Sequence, residues 1–186
     1  MKLRRTIIGG GLLLLGGYAM ASPPTLQPLP QNCQVTGSQN TLDFGTRTRA
    51  QLTLNQWGKL SPGQQFLTIS ITCRYPKRMV LSVAGKTAGQ LFSWGEGSEL
   101  RLEIRDANLD NQPVILRSLQ GDRNGSVISP VLAVHPGASF TPIRSGQPVS
   151  GKQLTFMLVI KPELDDSRTR LNQRYDWQSA LSLRLE

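Results

Sequence analysis

Apolar residues recur along this chain with a period of two. Over residues 66–73, Leu67, Ile69, Ile71 and Cys73 alternate with Thr68, Ser70 and Thr72, which places the first set on one face of a β-strand. The same alternation predicts strands at 79–83, 100–104, 114–119, 154–161 and 177–185. In the last of these, Trp177, Leu181, Leu183 and Leu185 would share one face. Turn clusters separate the strands: Ser61-Pro62-Gly63, then 95–98, 108–113, 122–125, His135-Pro136-Gly137 and 145–148. Two short segments, 48–54 and 165–171, have helix-like composition but lack a sustained helical apolar stripe. Short strands separated by such turns predict an all-β chain, folded as an antiparallel β-sandwich.

The first residues follow a different pattern. Lys2, Arg4 and Arg5 precede a short glycine-rich apolar core (7–17), and Ala19-Met20-Ala21 has the small residues of a cleavage site. Residues 1–21 therefore read as an export signal, with the mature chain starting at Ser22. Arg4-Arg5 also forms a partial twin-arginine signature, but no cofactor motif calls for folding before export, so the general secretory route is preferred. The apolar core is too short for a permanent span, which needs ~20 apolar residues. No later segment supplies one, so no transmembrane segment is expected after cleavage.

Removing 21 of the 186 residues leaves 165, enough for one domain. The two cysteines, Cys33 and Cys73, both survive cleavage. In an exported chain such a pair reads as a disulfide, and it would stabilise the fold by about 4 kcal/mol in the chain-entropy model.

The formal net charge of +9 includes the three cations of the leader, Lys2, Arg4 and Arg5, so the mature chain carries +6. Its arginines are scattered from Arg47 to Arg174 without interleaved aromatics, which argues for a solvated basic surface and against a nucleic-acid groove. His135 is the sole histidine. A hydrolytic triad would have to combine it with Ser139 and with Asp165 or Asp166, yet it sits in a turn without a nucleophile-elbow sequence. Asp106, Asn108 and Asp110 have the spacing of the first calcium-loop ligands. However, Asn111 stands where that loop needs glycine and Arg117 where it needs glutamate, so a hairpin turn is the better reading. Asn124-Gly125-Ser126 matches a glycosylation acceptor and, more simply, a tight hairpin. Trp57, Trp94 and Tyr75 near loops have the chemistry to stack on sugar rings, with core packing as the plainer role. No catalytic residue, metal site or cofactor is expected.

Asn32-Cys33-Gln34-Val35, Leu42-Asp43-Phe44-Gly45-Thr46 and residues 67–73 together resemble the opening of bacterial fimbrial subunits assembled by the chaperone–usher route. Residues 47–52, 74–79 and 156–162 look most like the β-fimbrial subfamily, long described as a domain of unknown function. The resemblance covers most of the mature chain and is most specific before Arg78. It implies an incomplete immunoglobulin-like sandwich (the pilin fold), in which the cysteine pair ties the first strand to the second and the missing last strand leaves an apolar groove. In that family a periplasmic chaperone fills the groove, and at the outer-membrane usher another fimbrial subunit's N-terminal extension replaces the chaperone's strand.

Carried over to this chain, the resemblance makes 175–186 the groove edge, with Tyr175, Trp177, Leu181, Leu183 and Leu185, and 33–186 the pilin-like domain. The donated extension would be 22–32, with Leu26 and Leu29 as its anchors. Pro23, Pro24, Pro28 and Pro30 make that extension read as a poor donor or a polyproline linker, which favours a tip or minor subunit over a shaft unit. The expectation is a non-enzymatic subunit of a Gram-negative fimbria that is exported to the periplasm, displayed at the cell surface and contributes to adhesion. The alternative is a stand-alone secreted β-sandwich adhesin or glycan-binding module, touching a host or surface glycan through Trp57 or Trp94.

Overall fold

A computed structural model describes residues 32–120, 129–166 and 176–186. These belong to one compact unit, Gln31–Glu186. The leader 1–21, the extension anchors Leu26 and Leu29, the 122–125 turn, most of the 165–171 segment and Tyr175 lie outside the described residues.

The fold is a β-sandwich of two antiparallel sheets, with one disulfide. The first sheet is built on three long neighbours: β4 (Gln65–Arg78), β14 (Ser150–Leu164) and β8 (Ser98–Leu109). β1 (Cys33–Gly37) flanks β4. β7 (Leu91–Ser93), with β6 (Thr87–Ala88), and β11 (Leu132–Val134) pair with β8. A small hairpin of β2 (Thr53–Leu54) and β3 (Leu60–Ser61) joins the end of β14. The second sheet has the order β10 (Ile115–Ser118), β12 (Ser139–Arg144), β5 (Leu81–Gly85), β15 (Leu181–Leu185). Two short strands, β9 (Gln112–Pro113) and β13 (Gln147–Pro148), close hairpins on β8 and β12.

The period-two pattern positions these strands. Leu100, Leu102 and Ile104 of β8 face the other sheet and are buried, and so are Ile69, Ile71 and Cys73 of β4 and Leu154, Phe156, Leu158 and Ile160 of β14. Phe140 of the second sheet meets Phe156 of the first edge-on, with centroids 6.3 Å apart, so the core is shared between the two layers. Cys33 stands directly opposite Cys73 in the β1–β4 ladder, and their disulfide lies in that core. Two hairpins turn through two residues held at positive φ, Asp110-Asn111 and Ser145-Gly146, the geometry whose twist matches paired strands.

Two predicted segments differ from expectation. Residues 48–54 form one 3-10 turn, Arg49–Gln51, and then strand β2; the Gln51 side chain accepts the Thr48 N–H at 2.8 Å and holds that single turn. The last strand begins at Leu181, four residues after Trp177. Trp177 is drawn off the strand by aromatic packing: it stacks on Trp94 and rests against Gly95, where a Cβ would come within 3.0 Å of the indole.

Candidate functional site

After β1 the chain leaves the ladder, and residues 39–48 have no strand partner among the described residues. Leu42 and Phe44, two apart, both pack against the core from this segment. Asp43 lies between them. Its carboxylate accepts the Gly45 N–H at 2.7 Å while Gly45 adopts φ +68°, so a side-chain-closed turn ends the segment. Gln65 Nε2 donates to the Asp43 carbonyl at 2.5 Å and ties the segment to β4.

Facing this segment is β15. Between them lies a groove of about 1210 Å³. Its floor takes Leu67 and Ile69 from β4, Leu158 and Ile160 from β14, Leu100 from β8 and Val83 from β5. These are the inward residues of the alternating strands, so the groove is an uncovered stretch of the sandwich core. Leu67, Leu181, Leu183 and Leu185 pack against the core yet are only half-buried. Val35 shares a face with its fully buried partner Ile71 and still keeps 38% of its surface exposed. Trp94 stands among Phe44 (5.5 Å, edge-on) and Trp177 (5.9 Å, stacked), and this aromatic cluster lines part of the same groove.

The register of β15 fixes the direction of its backbone groups. It pairs with β5 so that Leu181 opposes Gly85 and Leu185 opposes Leu81, and Glu186 N–H donates to the Val80 carbonyl in the same register. In an antiparallel ladder hydrogen-bonded pairs alternate, so Ser182 and Arg184 spend their N–H and C=O groups on β5. Those of Leu181, Leu183 and Leu185 point away from it, toward the open edge. Of these three, Leu181 and Leu183 line the groove, and Leu185 packs against the core beyond it. Among the described residues no strand pairs with that edge.

Of the predicted groove-edge residues, Leu181, Leu183 and Leu185 lie on β15, where the first two line the groove, and Trp177 lines it ahead of the strand. The groove floor was present in the sequence only as strand cores. The signal that would have separated it is the unpaired apolar pair Leu42 and Phe44, which faces the last strand across the gap.

Trp94 and Trp57 lie in different settings. Trp94 belongs to the groove. Trp57 is 48% exposed, with the Arg101 guanidinium 4.1 Å from its ring centroid. Its turn is fixed by Asn55, whose Oδ1 accepts the N–H groups of Trp57 and Lys59, both at 3.0 Å, and whose amide donates to Glu163 at 3.1 Å. Glu163 is 2% exposed and also takes two hydrogen bonds from Arg101, at 3.0 and 3.3 Å. The Trp57 turn thus covers a buried ion pair. Nearby, a bond to Asp165 at 2.5 Å is the main cause that raises the Lys59 pKa above its ordinary value, with Glu99 adding to it and burial opposing it. Farther along β8, burial alone would push the Glu103 carboxyl up, but hydrogen bonds from Lys161 and Arg105, both at 2.6 Å, outweigh it and hold the group below its usual value.

The remaining candidate groups are dispersed. The His135 ring meets the Gln90 carbonyl at 3.2 Å, the Ser139 hydroxyl donates to Glu186, and Asp165 pairs with Lys59. The Asp110 carboxylate accepts the N–H groups of Lys152 and Gln153 and clamps a bulge in β14. Tyr75 is exposed beneath the Arg74 guanidinium. Among the described residues, no group of side chains could hold a metal ion, and no helix is long and apolar enough to cross a membrane. No family model and no curated protein matches the chain.

Proposed function

We propose that this chain is a non-enzymatic subunit of a chaperone–usher fimbria, exported to the periplasm and completed there by a strand from another polypeptide laid along β15. The single observation that carries this reading is the open edge of β15. Leu181, Leu183 and Leu185 turn their backbone groups toward that edge, and the side chains of Leu181 and Leu183 line one uncovered apolar groove beside it. Recognition by strand addition needs those two features together, because ladder hydrogen bonds supply affinity and alternate side chains in the groove fix register. An exposed apolar edge of this kind is an aggregation hazard in a free chain, which is the physical reason for a chaperone to cover it until assembly. The disulfide pins β1, whose continuation forms the opposite rim, so export into an oxidising compartment precedes a competent groove.

The test is periplasmic expression with its leader, alone and together with a periplasmic fimbrial chaperone. Alone, the chain is expected to aggregate or be degraded; with the chaperone it should be recovered as a one-to-one complex. A free monomer that unfolds reversibly in two states and ignores the chaperone would contradict the proposal.

A further inference from the structure

One end of the first sheet departs from its ladder. Between the pairs Thr72–Gln153 and Lys77–Gly151, β4 advances five residues while β14 advances two, so Arg74, Tyr75 and Pro76 bulge out opposite Lys152. The cause lies on the β8 side. In a regular antiparallel strand successive N–H groups point to opposite neighbours, yet Lys152 and Gln153 both give theirs to the Asp110 carboxylate, at 3.0 and 2.8 Å. The donor that Lys152 would have offered β4 is thereby spent, and Pro76 has none to offer in return. Gly151 permits the approach, because a Cβ there would come within 2.6 Å of Leu109 Cγ and 2.7 Å of Asp110 Oδ2.

The bulge gathers charge. Arg74, Arg78 and Lys152 are exposed and Lys77 is half-buried. Tyr75 is 61% exposed, with the Arg74 guanidinium 5.5 Å from its ring centroid. Elsewhere along this sheet the cations are matched: Lys161 and Arg105 by Glu103, Arg101 by Glu163, and Lys59 by Asp165. Among the described residues, none of the four cations at the bulge pairs with a carboxylate side chain. Lys77 Nζ donates instead to the Glu186 main-chain oxygen at 3.3 Å, and the Asp110 carboxylate is taken up by backbone N–H groups. Their field is uncompensated and draws anions to this end of the sheet.

We infer that this bulge is a docking surface for an acidic polysaccharide, with Arg74, Arg78 and Lys152 meeting its charged groups and the Tyr75 ring lying against a sugar. The ring decides the class of partner. A lipid surface needs an apolar face to insert, and Tyr75 is the one large apolar side chain exposed on the bulge. A single nucleic-acid strand needs several stacking rings in succession. One ring flanked by cations fits a chain of sugars, which alternates apolar ring faces with anionic substituents.

The probe is heparin, titrated against the oxidised mature chain held soluble by a saturating, uncharged strand peptide with apolar residues at alternate positions. None of the bulge residues lines the groove, so the outcome does not depend on how the groove is used. Raising salt from about 0.05 to 0.2 M should weaken binding roughly tenfold. Arg74→Gln/Arg78→Gln/Lys152→Gln should also weaken it roughly tenfold, at an unchanged thermal midpoint. Arg47→Gln/Lys86→Gln/Arg144→Gln removes the same charge elsewhere and should weaken it roughly twofold at most. Tyr75→Ala should cost roughly threefold, and Tyr75→Phe should bind as the unaltered chain does. Absence of binding, equal losses in the two triple variants, or full binding by Tyr75→Ala overturns the inference. Vesicles of phosphatidylglycerol bound as tightly as heparin, with the same loss in the first triple variant, would overturn it in favour of an anionic lipid surface.

Discussion

Removing the Cys33–Cys73 bond should lower the stability of the fold by about 4 kcal/mol, and the reason lies in the unfolded chain. The bond joins residues 40 apart in sequence, and closing a loop of that length removes enough conformational entropy from the unfolded state to account for about that figure at 25 °C. A domain of this size has about 5–15 kcal/mol in total, so the bond decides whether the fold survives moderate stress. β1 is five residues long and, among the described residues, pairs with β4 alone, so the bond is a main tie on the chain that continues into the groove rim. The assay is urea unfolding of the oxidised mature chain beside the Cys33→Ala/Cys73→Ala double variant, each held soluble by the same saturating strand peptide with apolar residues at alternate positions. Trp94 and Trp177 at the groove give a fluorescence signal from that rim. With an m-value of about 2 kcal/mol/M the midpoint should fall by about 2 M. A shift under about 0.5 M would refute the reasoning, since the bond would then constrain little that the β1–β4 ladder does not already hold.

Glu163→Ala should cost about 3–5 kcal/mol in the same assay, because it leaves the Arg101 guanidinium and the Asn55 amide without their buried carboxylate. A loss below about 1 kcal/mol would mean that water replaces the carboxylate freely. Glu103 has its carboxyl held down in the folded state, so its contribution is present above the unfolded value near 4.5 and is lost as pH falls through the lower folded value. Stability should therefore fall below pH 4.5, and Glu103→Gln should flatten that acid limb; an unchanged limb would exclude the Lys161–Glu103–Arg105 cluster as its source. Gly85→Ala would place a Cβ 2.8 Å from Leu181 Cδ2 and 3.1 Å from Phe92 Cδ1. Such crowding should cost about 1–3 kcal/mol and weaken binding of a strand peptide with apolar residues at alternate positions, since Leu181 lines the groove; unaltered binding would show that β15 tolerates the displacement.

The strands that were legible in the sequence are those with strict alternation. The 66–73 pattern marked the heart of β4, and the 100–104 and 154–161 patterns marked β8 and β14, because in each the alternate apolar residues face the core, although in β14 Val159 of the opposite face is buried as well. β12 left no such trace. Phe140, Pro142 and Ile143 are all buried, so its burial does not alternate, and Pro142 reads as a strand breaker. The proline is tolerated because the ladder between β12 and β5 covers only Ser139 and Phe140 and ends before it. Edge residues were legible in a different way. Leu181, Leu183 and Leu185 declared a face through their spacing, but the direction of their backbone groups depends on register with β5, which no local pattern encodes. The Trp94–Trp177 contact joins residues 83 positions apart and likewise had no local signature.

Residue-resolved amide hydrogen exchange across β15, with and without a strand peptide that carries apolar residues at alternate positions, tests the open edge most directly. The N–H groups of Ser182 and Arg184 should be protected in both states, because they are spent on β5. Those of Leu181, Leu183 and Leu185 should exchange quickly in the free mature chain and become protected when a strand is bound. Slow exchange at these three positions in the free chain, or no change when the peptide is bound, would contradict the claim that β15 is an edge waiting for a partner.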